Sequence, residues 1–360
     1  MAQASPAPPP SSSSFPPELE SLLNALEPAR RAVVTQRLED WLSSAEEGKK
    51  ISQTLTESGA SDSAAVVARL QPLYLAVFAW ISQLLEKRGK ASGQEGNEAG
   101  PLLVALSAPQ GSGSKALADA LKFLFAAEGS ETLAISLDSF YALAGKQEKL
   151  AQKHSENPLV QYPGNPGTHE PLLAACVLES LKRNSPNGEV LMPVYDKSLN
   201  GGKGDRLCVK DWQKIKTGNI KLIIFEGWML GFKAAAEANE EAFPSLTKEE
   251  VEWMKPINKS LKEYEALHAL VDAWIVFQAD ALDRLFDWRC EEEKAHKQVS
   301  GEGKTAEEVR ASVEKFLPTY KAYLPRMSAR GPDGATGETP VLEVFLDAAR
   351  DAAKASVKLA

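Results

Sequence analysis

The sequence predicts an α/β fold, a mostly parallel sheet flanked by helices, with a helical extension in front of it. Three observations carry that expectation. Residues 102–120 read as an apolar strand, a glycine turn and a helix in immediate succession. Beyond them, short apolar runs alternate with helical patterns, which implies parallel strands joined by helical crossovers. Residues 18–90 carry helical stripes and no strand pattern.

The first observation is the most informative. Leu102, Leu103, Val104, Ala105 and Leu106 form a run short enough for a buried strand. It breaks into Pro109, Gln110, Gly111, Ser112 and Gly113, and Ala116, Leu117, Ala120, Leu121 and Leu124 follow at helical spacing. Backbone N–H groups at such a helix start cradle a phosphate. The mononucleotide version of this loop ends in Gly-Lys-Ser/Thr. Here it ends in Gly113-Ser114-Lys115, with the last two residue types in swapped order.

The 360 residues, 43% hydrophobic and 25% charged, suit a globular chain with a sizeable core. A net charge of -8 argues against a nucleic-acid surface. Cys176, Cys208 and Cys290 are far apart, as expected of free thiols in a reducing compartment. No apolar stretch reaches the roughly 20 residues of a bilayer span, so no membrane partner is expected. Residues 1–17, rich in Pro and Ser, read as a disordered tail. The tail lacks Arg and an apolar segment, which makes a poor signal or transit peptide. The compartment expected is the cytoplasm. The chloroplast stroma is the alternative, because the tail is Ser-rich and has no acid before Glu18.

Residues 18–100 read as a helical region and linker. Leu73, Val77, Trp80, Ile81 and Leu84 form its strongest stripe, and a polar linker is expected from Gly89 to Gly100. Residues 101–350 read as the main domain, with substrate loops and a lid. Further strands are expected at 132–137, 221–225, 273–277 and 341–345, a short extended piece at 191–195, and helices at 114–127, 171–183, 247–269 and 304–320. In such a sheet the ligand crevice lies at the C-terminal ends of the strands.

Those ends carry chemistry. Asp138 follows the second strand, placed to take a proton from an attacking hydroxyl or simply to cap a turn. Glu226 follows the strand at 221–225, placed for Mg²⁺ or its waters, or again for a turn. Loops 157–170 and 193–206 are polar and Gly-rich and bear His169, Tyr195, Asp196, Lys197, Lys203 and Arg206. Arg289 stands on a helix that could close over phosphates, or pairs there with Glu292 or Glu293. Trp288, Tyr320 and Tyr323 read as packing residues. The four histidines are too scattered for a zinc site.

Together the motifs SAPQGSG, LDSFY, NPLVQYPGNPGTHE, PVYDKSLNGGKGDR, FEGWMLGF, DWR and YKAYLP resemble the D-glycerate 3-kinase family, a branch of the phosphate-loop (P-loop) kinases. The likeness runs from about residue 73 to residue 346. It implies ATP-dependent phosphorylation of D-glycerate to 3-phosphoglycerate, with Mg²⁺, which in plants is the last step of photorespiration. It implies a nucleotide loop from Pro109 to Lys115, Asp138 as base, and Lys115 and Arg289 as catalytic cations. Ser114 and Glu226 would meet the metal, and Tyr141, His169, Tyr195, Asp196, Lys197 and Arg206 the substrate. Which of Lys197, Arg206 and Arg289 meets the substrate carboxylate stays open, as does the oligomeric state. The sequence departs from the family pattern at Ser139 and Glu170, where Asp is usual, and at Ser114-Lys115. One helical residue is about 100° of rotation and 1.5 Å of rise, so Lys115 is expected to point away from the family lysine's direction and slow the reaction. The alternatives are a kinase for another small alcohol or a nucleoside, and a nucleotide-binding paralogue without phosphoryl transfer.

Overall fold

The computed structural model describes residues 15–46, 48–51, 63–95, 100–301 and 303–358. Helices α1 (Pro17–Asn24), α2 (Pro28–Ser44) and α3 (Ser63–Glu95) open the chain. Proline in the first turn of α1 and α2 presets the helical φ where no N–H partner is needed. Most of the expected tail lies outside the described residues. Its end is ordered, since Phe15 packs on the core and Pro17 starts α1. The expected linker also starts too early. Helix α3 continues through Gly89, where nothing crowds the backbone, and ends at Glu95. A long helix propagates cheaply through such a residue. One stretch of α3, Ala65–Lys90, is long and apolar enough to cross a membrane, contrary to the sequence expectation. It is a core helix here, with 67% of its most apolar window buried inside the fold.

The sheet begins with β1 (Leu102–Ser107), followed by α4 (Ser114–Ala127) and β2 (Glu131–Ser136). Next come α5 (Ala144–Lys153), α6 (Pro171–Arg183), β3 (Glu189–Met192), β4 (Tyr195–Asp196), β5 (Asp205–Arg206) and β6 (Gln213–Lys216). Then follow β7 (Ile220–Gly227), α7 (Lys248–Leu261), β8 (Ala273–Ala279) and α8 (Arg284–Ser300). The chain closes with α9 (Ala306–Glu314), α10 (Leu317–Arg330), β9 (Val341–Leu346) and β10 (Ala352–Lys358). The six-stranded sheet has the order β10-β9-β8-β1-β7-β2. All its pairings are parallel except β10 on β9.

Alternation along β1 sets the two layers. Val104 and Leu106 face a core shared with α1, α2, α3 and α4, whereas Leu103 and Ala105 face one shared with α6, α7 and α10. Arg30 of α2 ties the extension down, reaching Glu128 at the end of α4 (2.7 Å) and Ser82 of α3 (3.0 Å).

The short extended piece expected at 191–195 lies outside the main sheet and divides at Pro193, which has no N–H, into β3 on β6 and β4 on β5. Three further expectations are corrected. The helix expected at 247–269 stops at Leu261 and gives way to single turns. The helix expected at 304–320 is two helices, because Pro318 opens a new first turn in α10. The sheet also outruns residue 350, since β10 adds an antiparallel edge.

Candidate active site

The loop between β1 and α4 stands at the C-terminal edge of the sheet, where β1, β2 and β7 all end. Gly111 (φ +83) and Gly113 (φ +86) adopt left-handed backbone, and a Cβ on Gly111 would lie 2.7 Å from the Cβ of Trp288. Only glycine lets the loop lie this close to α8. The turn closes through Ser112 N–H to the Pro109 carbonyl (3.1 Å), and Gln110 N–H donates to the Tyr320 hydroxyl (3.1 Å). Arg350 adds a strut from the far end of the chain, donating to the Gly111 carbonyl (2.7 Å) and the Trp288 carbonyl (3.2 Å). The Ser112 hydroxyl is buried without a hydrogen-bond partner among the described residues. The first amides of α4, which have no intrahelical acceptor, leave a donor-rich pocket suited to phosphate.

A cavity of about 580 Å³ opens in front of this loop. Gln110, Gly111, Gly113, Ser114 and Lys115 line it, together with Asp138, Tyr195, Lys197, Glu226 and Arg289. Asp138 sits in a 3-10 turn directly after β2, with its N–H bonded to Ser136 Oγ (3.3 Å). Its carboxylate accepts from Lys197 Nζ at 2.6 Å. Burial raises the Asp138 pKa, but the Lys197 ammonium outweighs it and holds the carboxyl below the usual range. The group is therefore an ionised acceptor at neutral pH.

Glu226, at the end of β7, is 3.5 Å from Ser114 Oγ. Burial pushes its pKa up to about 7, with the charge of Asp138 adding to the effect and a Ser136 hydrogen bond opposing it. A buried carboxylate beside a hydroxyl is an oxygen donor set that fits Mg²⁺, and the burial leaves the carboxylate in need of a cation. Among the described residues no group of three or more His, Cys, Asp and Glu could hold a metal. Any ion here would complete its shell with phosphate oxygens and water.

Lys115 borders the cavity, but its ammonium pairs with Asp119 one turn along α4 (2.6 Å). That direction leads away from the helix start. Arg289 is bound by Glu292 on its own helix.

No protein-family model matches the sequence. The chain is 35% identical over 287 residues to the chloroplastic D-glycerate 3-kinase of Arabidopsis thaliana, covering 79% of this chain and 60% of that one. It is 32% identical over 254 residues to an uncharacterised kinase of Schizosaccharomyces pombe, covering 69% of this chain and 88% of that one. The chain belongs to the D-glycerate 3-kinase family. The solved D-glycerate 3-kinase of Cryptococcus neoformans superimposes with a TM-score of 0.67 at 26% identity, over 79% of this chain and 99% of that one. The fold is that of a P-loop kinase.

This kinase does not bring all of the expected substrate residues to the cavity. Tyr141 is buried, stacked on His169 with ring centroids 4.3 Å apart. His169 Nδ1 is 2.9 Å from the Tyr264 hydroxyl, and burial lowers its pKa to about 4, so the ring is neutral. It borders a separate cavity of about 390 Å³. Arg206 Nη1 is bound to Glu170 (2.6 Å), which also takes Lys146. Asp196 caps its own turn, accepting from Ser198 N–H (2.8 Å) and Oγ (2.6 Å). His169, Arg206 and Asp196 are thus held by partners remote from the phosphate loop, whereas the Tyr141 hydroxyl donates to Asp138 at the cavity. Sequence reasoning missed Lys50 and Ile51, which line the main cavity from the extension. Only a tertiary contact reveals them.

Proposed function

We propose that the kinase transfers the γ-phosphoryl group of ATP to the primary hydroxyl of D-glycerate, giving 3-phosphoglycerate and ADP. The observation that carries this reading is the ionised Asp138 facing the same cavity as the phosphate loop and the Ser114–Glu226 pair. The loop amides bind the phosphates. Ser114 and Glu226 hold Mg²⁺, which when bound neutralises charge on the β- and γ-phosphates. Asp138 accepts the hydroxyl proton as the new P–O bond forms, and the bond to ADP breaks with its electron pair leaving on ADP. Lys197, beside Asp138, meets the substrate carboxylate, and Tyr195 walls the same side. Arg289, released from Glu292, approaches the transferring group from α8. The name of the plant relative supports glycerate as acceptor.

The test is ADP release by the purified protein with ATP, Mg²⁺ and D-glycerate, against a panel of nucleosides and other small alcohols. Turnover confined to another acceptor would replace glycerate in the assignment. A second reading, nucleotide binding without transfer, is favoured by Ser114 standing where a lysine is expected and by Lys115 pairing with Asp119. It predicts thermal stabilisation by ATP with no ADP release. We assign the kinase to the cytoplasm, and stromal fluorescence of a full-length fusion would move it to the chloroplast.

A further inference from the structure

A triphosphate brings several negative charges into a cavity that already holds Asp138 and Glu226. An ammonium beside the β–γ bridge is the usual remedy, and Ser114 has none. Lys115 reaches down α4 to Asp119, away from the loop amides. Lys197 is bound to Asp138 on the acceptor side.

Lys50 is placed differently. Residues 48–51 are helical, and Ile51 is buried against the loop: a Cβ on Gly113 would lie 3.4 Å from Ile51 Cδ1. Ile51 thus anchors its neighbour at the last glycine of the phosphate loop, and Lys50 itself borders the cavity. Its ammonium is 2.9 Å from Glu46, a pair whose side chains are 53% and 82% exposed. An exposed pair of that kind contributes little, as does that of Lys115 with Asp119, so what sets Lys50 apart is its place beside Gly113.

We propose that Lys50 of the N-terminal extension supplies the phosphate-binding ammonium that residue 114 lacks, which makes the extension part of the nucleotide site. The inference rests on the ATP reading and goes beyond it, because nothing in the phosphate-loop motif includes the extension.

The test is a cycle of four proteins: wild type, Lys50→Met, the loop exchange Ser114→Lys with Lys115→Ser, and all three changes together. ATP affinity is measured by calorimetry and turnover by ADP release. Lys50→Met is expected to weaken ATP binding about tenfold or more in the native loop, the scale of a charged hydrogen bond. In the exchanged loop the Ser114→Lys change itself supplies the ammonium, and there Lys50→Met should change affinity by less than about twofold. Trypsin cleavage after Lys49 and Lys50 should slow when ATP binds the wild type. Lys50 lies at the surface, where its loss leaves the core intact, and circular dichroism of each variant checks the fold. If the wild type binds ATP and Lys50→Met binds it equally well, the inference fails and the ATP reading stands. An equal loss in both loop backgrounds also overturns it, since Lys50 would then not replace a missing group. A wild type that binds no ATP overturns both.

Discussion

Gly111 offers the sharpest measure of how closely the phosphate loop is fitted to the body of the kinase. In Gly111→Ala the new Cβ would lie 2.7 Å from Trp288 Cβ, 3.2 Å from its carbonyl carbon and 3.3 Å from Arg289 N. Carbon pairs rest about 3.5–4.0 Å apart, so the loop or α8 must shift by roughly 1 Å. Trp288 is fully buried, and its indole N–H is bound to the Ala348 carbonyl (2.9 Å), so α8 has nowhere to recede. Overpacking of this kind costs about 1–3 kcal/mol. The left-handed backbone at φ +83 adds about 1–2 kcal/mol for any Cβ-bearing residue. Gly129 provides the control, with φ +80 and nothing within 4 Å of a Cβ. Gly129→Ala should lose only the backbone contribution, about 1–2 kcal/mol. Urea unfolding followed by tryptophan fluorescence measures both. Equal losses in the two variants would refute the argument, because they would show that the loop-to-α8 approach has no energetic consequence. Nucleotide affinity should fall in Gly111→Ala and hold in Gly129→Ala.

Other outcomes follow from the site. Asp138→Asn should cut turnover by about 10²–10⁴ and leave ATP affinity nearly unchanged, as steady-state kinetics and calorimetry would show. Glu226→Gln should weaken Mg²⁺-dependent activity more than metal-free nucleotide binding; equal losses would point to a folding role. Lys197→Met removes the cation that holds Asp138 ionised, so burial then dominates and the acid limb of kcat/KM should move to higher pH. An unmoved limb would separate the two residues in function. His169 stays neutral in the fold down to about pH 4, whereas in the unfolded chain it takes a proton below about 6.5. Stability from this group is therefore present above pH 6.5 and lost as pH falls towards 4, by about 3 kcal/mol in total. Denaturation of wild type and His169→Gln at both ends of that window should show the smaller pH dependence in the variant.

The sequence made legible what local chemistry controls. The run 102–106, the glycine turn and the spacing after it located β1, the phosphate loop and α4 almost to the residue. Asp138 and Glu226 could be found because parallel strands deliver their last residues to one edge. Partnerships across long sequence distances were not legible. Nothing local marks Ala352–Lys358 as a strand: its one β-branched residue is Val357, and its order comes from the open edge of β9. Arg206 and His169 looked like substrate ligands because loops rich in polar residues so often bind. Their commitments to Glu170 and Tyr264 depend on how α6 and the segment after α7 pack. The Lys50–Ile51 contact with Gly113 lay equally beyond pattern reading, since it joins two regions that the sequence separates by a long helix.

The position of β1 in the middle of the sheet has a consequence for how the protein is made. Every residue of β1 is buried, yet its hydrogen-bonding neighbours β7 and β8 begin only at Ile220 and Ala273. During synthesis, which runs from the N-terminus, this sticky strand leaves the ribosome long before either neighbour exists. Helices α1, α2 and α3 have already emerged, α4 follows at once, and these helices build the core that its Val104 and Leu106 enter. The extension thus offers that face of the strand a core to join while the rest of the sheet is still being translated. Removing α1 and α2 should send newly made protein into inclusion bodies, and an undiminished soluble yield would show that β1 needs no such shelter.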